Sequence, residues 1–70
     1  NVFLNVFIDA LHEELSRKQI RELKEIAEDT EIGTEEKKSS ILDKIKEFGK
    51  DTLASIVANV LTNPAIWGMM

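Results

Sequence analysis

The last nineteen residues of the chain, 52–70, carry no charged side chain, whereas the fifty-one before them hold all twenty-two of its lysines, arginines, aspartates and glutamates. A charge-free end on so polar a chain must be covered, because apolar surface left in water costs free energy in proportion to its area. Four covers are open to it: the chain's own helices, a second copy, the remainder of a longer parent protein, or a lipid bilayer.

The rest of the chain reads as helix. Leu4, Phe7, Ile8, Leu11 and Leu15 recur at three- and four-residue steps, which predicts an amphipathic helix over about 2–15, with Phe3, Val6 and Ala10 widening its apolar face. Ser16 and Gln19 match a capping box, and Leu15 with Ile20 a hydrophobic staple, so a second helix starts at 17 and runs to about 31. Gly33 stands where a left-handed residue commonly closes a helix, and Thr34 is placed to cap the next, with Glu35 and Glu36 at its positive end.

Leu42, Ile45, Phe48, Leu53, Ile56 and Val60 then keep helical period through Gly49, which predicts one helix over 35–62. A break at 49–51 is the alternative, because glycine inside a helix costs about 1 kcal/mol relative to alanine and Asp51 or Thr52 could cap a fresh start. Asn63-Pro64 ends that helix and begins a short turn over 64–69, in which Trp67 is the heaviest apolar group. Nothing alternates at period two. The expectation is a single all-α domain over 1–70, a small bundle of three to four helices. Its core is expected to hold Phe3, Phe7, Leu11, Leu15, Ile20, Leu23, Ile45, Phe48, Leu53, Ile56, Val57 and Val60.

Length bears on partners. A continuous helix of 28 residues would be roughly 42 Å long, while a compact chain of this size is only about 30 Å across, so its apolar half would project and self-associate. The chain starts at Asn1, and residues 2–8 lack the basic leader of a signal peptide, so the sequence reads as a fragment or module of a larger protein.

Composition narrows the function classes. Without cysteine there is no disulfide framework, thiolate nucleophile or zinc-thiolate site, and the cytoplasm is favoured. A net charge of −4 argues against a general electrostatic grip on nucleic acid. Asp9 and His12 share the carboxylate-x-x-His spacing of helical metal sites, but no matching pair occurs elsewhere. The serines have structural uses, and no nucleophile-elbow or phosphate-loop pattern is present, so neither enzyme activity nor a cofactor is expected.

Arg17, Arg21 and Lys24 form a basic stripe, with Lys18 beside it. Residues 23–45, an apolar helix, a turn at Gly33, then Lys37, Lys38 and the Ile41-to-Ile45 repeat, form a segment that resembles the short helix-loop-helix modules of the SAP type; the likeness implies DNA contact. Acidic Glu22, Glu25 and Glu28 interleave the stripe and favour a solvated, ion-paired face instead. Nineteen uncharged residues approach the thickness of a bilayer, but Asn59, Asn63 and Pro64 oppose insertion.

The leading expectation is a helical protein-protein interaction or homo-oligomerisation module that buries its apolar C-terminal segment. Its partner would be another copy or the rest of a parent protein, met through Phe3, Phe7, Ile56, Val60, Leu61, Ile66 and Trp67. The alternatives are a membrane-associating helical segment of a toxin-like or defence protein, and a weak nucleic-acid-binding helix-loop-helix.

Overall fold

The computed structural model describes residues 2–68. Four α-helices follow one another, α1 (Val2–Asp9), α2 (Arg17–Glu28), α3 (Thr34–Glu47) and α4 (Asp51–Leu61), with 3₁₀ turns at Ala10–Glu13 and Pro64–Trp67 and no strand among the described residues. The chain is thus the small all-α bundle its periodicity predicts.

Local chemistry explains most of the boundaries. The α geometry of the first helix ends at Asp9 rather than near residue 15, and the chain tightens into a 3₁₀ turn in which the amides of Glu14 and Leu15 both donate to the Leu11 carbonyl, at 2.9 Å each. Ser16 is extended and forms the expected capping box: the Gln19 amide donates to Ser16 Oγ at 3.2 Å, and the Ser16 amide to Gln19 Oε1 at 2.9 Å. The second helix stops at Glu28, three residues early, because Asp29 Oδ1 accepts from the Glu31 amide at 2.8 Å and offers the backbone a turn in place of another helical bond.

At the next junction the expected roles shift by one residue. Gly33 is extended, with φ −83° and ψ 176°, and serves as the N-cap of α3, while Thr34 is its first helical residue rather than its cap. Glycine is tolerated at that position at a cost of only a few tenths of a kcal/mol.

The predicted continuous helix is broken. Gly49 adopts φ +80°, its amide donates to the Lys46 carbonyl at 2.9 Å, and the Lys50 amide donates to the Ile45 carbonyl at 3.2 Å. Those two bonds are the Schellman closure, and glycine takes its left-handed position without the steric cost that a Cβ brings. The hairpin that results removes the overshoot expected of a single long helix: the molecule measures 31 × 21 × 19 Å with a radius of gyration of 11.0 Å.

α1 packs on α2, α2 on α3 and α3 on α4, and the C-terminal 3₁₀ turn bears on both α1 and α4, closing the ring. The core is assembled from Leu4, Ile8, Leu11 and Leu15, then Leu23 and Ala27, Ile41 and Ile45, and Leu53, Ala54, Val57 and Leu61. The expected core is corrected in part. Phe3 and Ile56 lie outside it, Phe7, Ile20 and Phe48 are half-buried at its edge, Val60 is half-buried, and Leu4, Ile8 and Ile41 belong to the core instead.

The expected turn over 64–69 is the Pro64–Trp67 turn closed by left-handed Gly68, with φ 75°. Asn63 caps it through its side chain, accepting from the Ala65 amide at 3.0 Å. The remainder of the expected turn and tail, Met69 and Met70, lies outside the described residues.

Candidate interaction surface

α1 is apolar around most of its circumference, and the fold can use only one side. Leu4, Ile8, Leu11 and Leu15, at steps of four and three, turn to the core. Val2, Phe3 and Val6 are left on the other side, 74%, 60% and 62% exposed, and on α4 Ile56 is 56% exposed. They are the exposed large apolar side chains of the described residues.

The structure distributes the seven residues expected to meet a partner over three environments. Phe3 and Ile56 stand in solvent. Phe7, Ile66 and Trp67 are half-buried against the core, and Val60 on α4 is half-buried. Leu61 is 1% exposed, so its side chain belongs to the chain's own core and no partner reaches it without opening the fold. Val2 and Val6 were not expected at the surface. Their signal in the sequence is an α1 with more apolar residues than one buried stripe can absorb.

The charge-free end is covered largely from within. Leu53, Ala54, Val57 and Leu61 face inward, and Trp67 Nε1 donates to the Leu61 carbonyl at 2.8 Å. Expected as the anchor to another surface, Trp67 is tied to the helix that precedes it.

The polar candidates are dispersed or already engaged. Lys24 Nζ lies 2.6 Å from Asp9 Oδ1, joining α2 to the end of α1 and withdrawing Lys24 from the basic stripe and Asp9 from His12. His12 is exposed, and among the described residues no three His, Cys, Asp or Glu side chains gather where they could hold a metal ion. Lys38 pairs with Glu35 at 3.5 Å and Lys44 with Glu47 at 4.0 Å.

Among the depressions on the surface of the described residues are two open ones. One lies between Glu14 and the start of α4 at Lys50, Asp51 and Ile56; the other lies among Asp9, His12, Ser16 and Arg17. No described helix is long and apolar enough to cross a membrane.

The arrangement defines a small all-α bundle with an apolar outer face on its first helix. No protein-family model matches the chain, and no curated protein or solved structure is similar enough to it to supply a relative.

Proposed function

We propose that the chain is a helical protein-interaction and homo-oligomerisation module that acts by burying the outer face of α1 together with the exposed apolar positions of α4. The observation that carries this reading is the exposure of Val2, Phe3 and Val6 on one side of a single helix. Full burial of a valine or phenylalanine side chain is worth about 1.5–3 kcal/mol, so covering this face favours association. The contact set is therefore Val2, Phe3 and Val6 on α1, with Ile56 the exposed large apolar position of α4.

Phe3→Asp combined with Val6→Asp tests it. Both side chains point to solvent, so the helical content of the variant should match that of the parent while its sedimentation mass falls to that of one chain. A parent chain that sediments as a single copy at every concentration, or an assembled mass that survives the double substitution, refutes this surface as the site of self-association. Incubation with liposomes separates the membrane alternative, which requires the same face to bring the protein down with the vesicles.

A further inference from the structure

We propose that the outward face of α2 meets the same face of a second copy, antiparallel about a two-fold axis level with Leu23, so that Arg17 lies against Glu28, Arg21 against Glu25 and Lys18 against Asp29. This contact is electrostatic and separate from the apolar face of α1, and it adds to the self-association proposed there.

The charges of α2 run against the helix that carries them. Arg17 and Lys18 stand in the first turn, where the helix dipole is positive, and Glu25 and Glu28 in the last, where it is negative. Each of these placements costs the isolated helix stability, and the chain offers nothing in return. Among the described residues Lys24 pairs with Asp9, Lys38 with Glu35 and Lys44 with Glu47, while Arg17, Lys18, Arg21, Glu25 and Glu28 stand unpaired, although Arg21 and Glu25 are one turn apart. All five are exposed, as is Asp29, which ends the helix and accepts from the Glu31 amide through Oδ1 alone. A helix polarised in this way is the electrostatic complement of itself turned end for end.

Helical phase decides which charges would meet. Leu23 marks the inward direction, at 0% exposed. At about 100° per residue, Arg21 and Glu25 fall about 20° either side of the outward line, Arg17 and Glu28 about 50° to one side of it, and Lys18 and Asp29 about 50° to the other. A two-fold axis perpendicular to α2 sets each residue opposite one on the same side and equally far beyond Leu23. At about 1.5 Å per residue, Arg17 lies about 9 Å before Leu23 and Glu28 about 7.5 Å after it; Lys18 and Asp29 lie about 7.5 Å before and about 9 Å after, and Arg21 and Glu25 about 3 Å either way. The contact is isologous, so every pair occurs twice.

The register has no close competitor. Slipping one helix by four residues sets Arg21 against Arg21 or Glu25 against Glu25, and a parallel arrangement sets each charge against its like. That self-complementarity makes a second copy the occupant, whereas a polyphosphate lying along the same face would meet Glu25 and Glu28 beyond the stripe. Pairs between exposed side chains are worth little in physiological salt, so there the contact joins only chains that the α1 face has already gathered. At about 10 mM ionic strength charges act over about 30 Å rather than about 8 Å, and the contact stands by itself.

The test uses a chain whose α1 face is removed as a contact by Phe3→Gln and Val6→Gln, which leave the net charge unchanged. On one version Arg17→Glu with Arg21→Glu turns the α2 face largely acidic, and on another Glu25→Lys with Glu28→Lys turns it largely basic. Both exchanges bring α2 into agreement with its dipole, so circular dichroism should show both chains at least as helical as their parent.

The glutamine chain should sediment as one chain at physiological ionic strength and as two at about 10 mM. In the low-salt buffer each charge-exchanged chain should pair with itself at least about tenfold more weakly, and an equimolar mixture should restore a two-chain mass holding one of each. A glutamine chain that stays single at low salt overturns the contact. So does pairing that ignores salt, or charge-exchanged chains that pair alone as well as their parent does. A single chain that retains duplex DNA until Arg17 and Arg21 are exchanged overturns it too, and assigns the stripe to phosphate. The α1 surface is judged at physiological ionic strength and stands or falls independently of these results.

Discussion

Trp67 Nε1 donates to the main-chain carbonyl of Leu61 at 2.8 Å, and this one bond folds the C-terminal turn back onto the end of α4. Leu61 is the last residue of that helix, so its carbonyl has no intrahelical donor. The neighbouring carbonyls are satisfied in the same local way: Thr62 Oγ1 donates to that of Asn59 at 2.6 Å and the Asn63 amide to that of Val60 at 3.0 Å. With the helix end completed from within, Ile66 and Trp67 rest on the core where α1 and α4 both reach the turn. The apolar C-terminal end therefore finds most of its cover in its own chain, and the case for a partner passes to α1.

Trp67→Phe keeps an aromatic ring and removes the donor. The loss should be about 1 kcal/mol, the usual net worth of such a bond, which lowers the thermal midpoint of a domain this small by about 4–8 °C. Trp67→Ala should cost more, since it also empties the half-buried ring site. Thermal melts followed by far-ultraviolet circular dichroism read both, and a phenylalanine variant as stable as the parent would show that the indole bond does not hold the turn.

Ser16→Ala removes the Oγ acceptor of the capping box at the start of α2. Caps of this kind contribute about 1 kcal/mol, so the denaturant midpoint should fall with an unchanged slope. Ser16→Asp restores an acceptor at the positive end of the helix and should recover most of the loss. Equal destabilisation by alanine and aspartate would mean that serine acts there through something other than its oxygen.

The core and the outer face should respond oppositely to truncation. Leu23 and Ile45 are completely buried, and Leu→Ala or Ile→Ala at such sites costs about 2–5 kcal/mol. A chain of this length has a total stability of only several kcal/mol, so either variant should be largely unfolded at room temperature. Ile56→Ala, at a position more than half exposed, should leave the isolated fold within about 0.5 kcal/mol of the parent while weakening association. Comparable melting losses at Ile45 and Ile56 would contradict the placement of the two side chains.

These contrasts follow the line between what neighbouring residues decide and what distant ones do. The capping box at Ser16 and Gln19 and the stop at Asn63-Pro64 were legible because each is settled within three or four residues. The inward stripe of α1 was legible in the Leu4, Ile8, Leu11 and Leu15 steps, but the place of Phe3 and Phe7 was not, because they are as apolar as Leu4 and Ile8, and only packing against α2 and the C-terminal turn leaves one outside the core and the other at its edge. Gly49 was ambiguous for a related reason: glycine suits a left-handed helix end and is merely costly inside a helix, and the Leu42–Ile56 phase runs straight through it. Tertiary packing settles the matter by bringing the Ile41 and Ile45 face to that of Leu53, Val57 and Leu61. The interface set suffered from the same blindness. Leu61 looked as available as Ile56 until the hairpin assigned one to the core and the other to solvent.

Ion pairing between α1 and α2 should contribute little. Asp9 and Lys24 approach to 2.6 Å, yet their side chains remain 57% and 33% exposed, and pairs in that environment are worth well under about 1 kcal/mol. A double-mutant cycle with Asp9→Asn and Lys24→Gln should give a small coupling energy that falls as salt is raised. A coupling above about 1.5 kcal/mol that ignores salt would place the pair in a far drier setting than the structure gives it.

Asn5 offers a route to a more stable molecule. Its Oδ1 is sealed from solvent without a hydrogen-bond partner among the described residues, next in sequence to core residue Leu4 and one turn before Ile8. An acceptor removed from water and left unmatched costs about 1–3 kcal/mol. Asn5→Leu keeps a similar volume, carries no lone pair and favours helix, so it should raise stability by about 1 kcal/mol and move the denaturant midpoint upward at constant slope. Asn5→Asp has nearly the same shape and should do the reverse near neutral pH, because a carboxylate held in that site would lose its hydration without gaining a cation. The leucine variant discriminates: if it destabilises the fold, the amide is hydrogen-bonded in solution, and its position on α1 is set by polar chemistry rather than tolerated in spite of it.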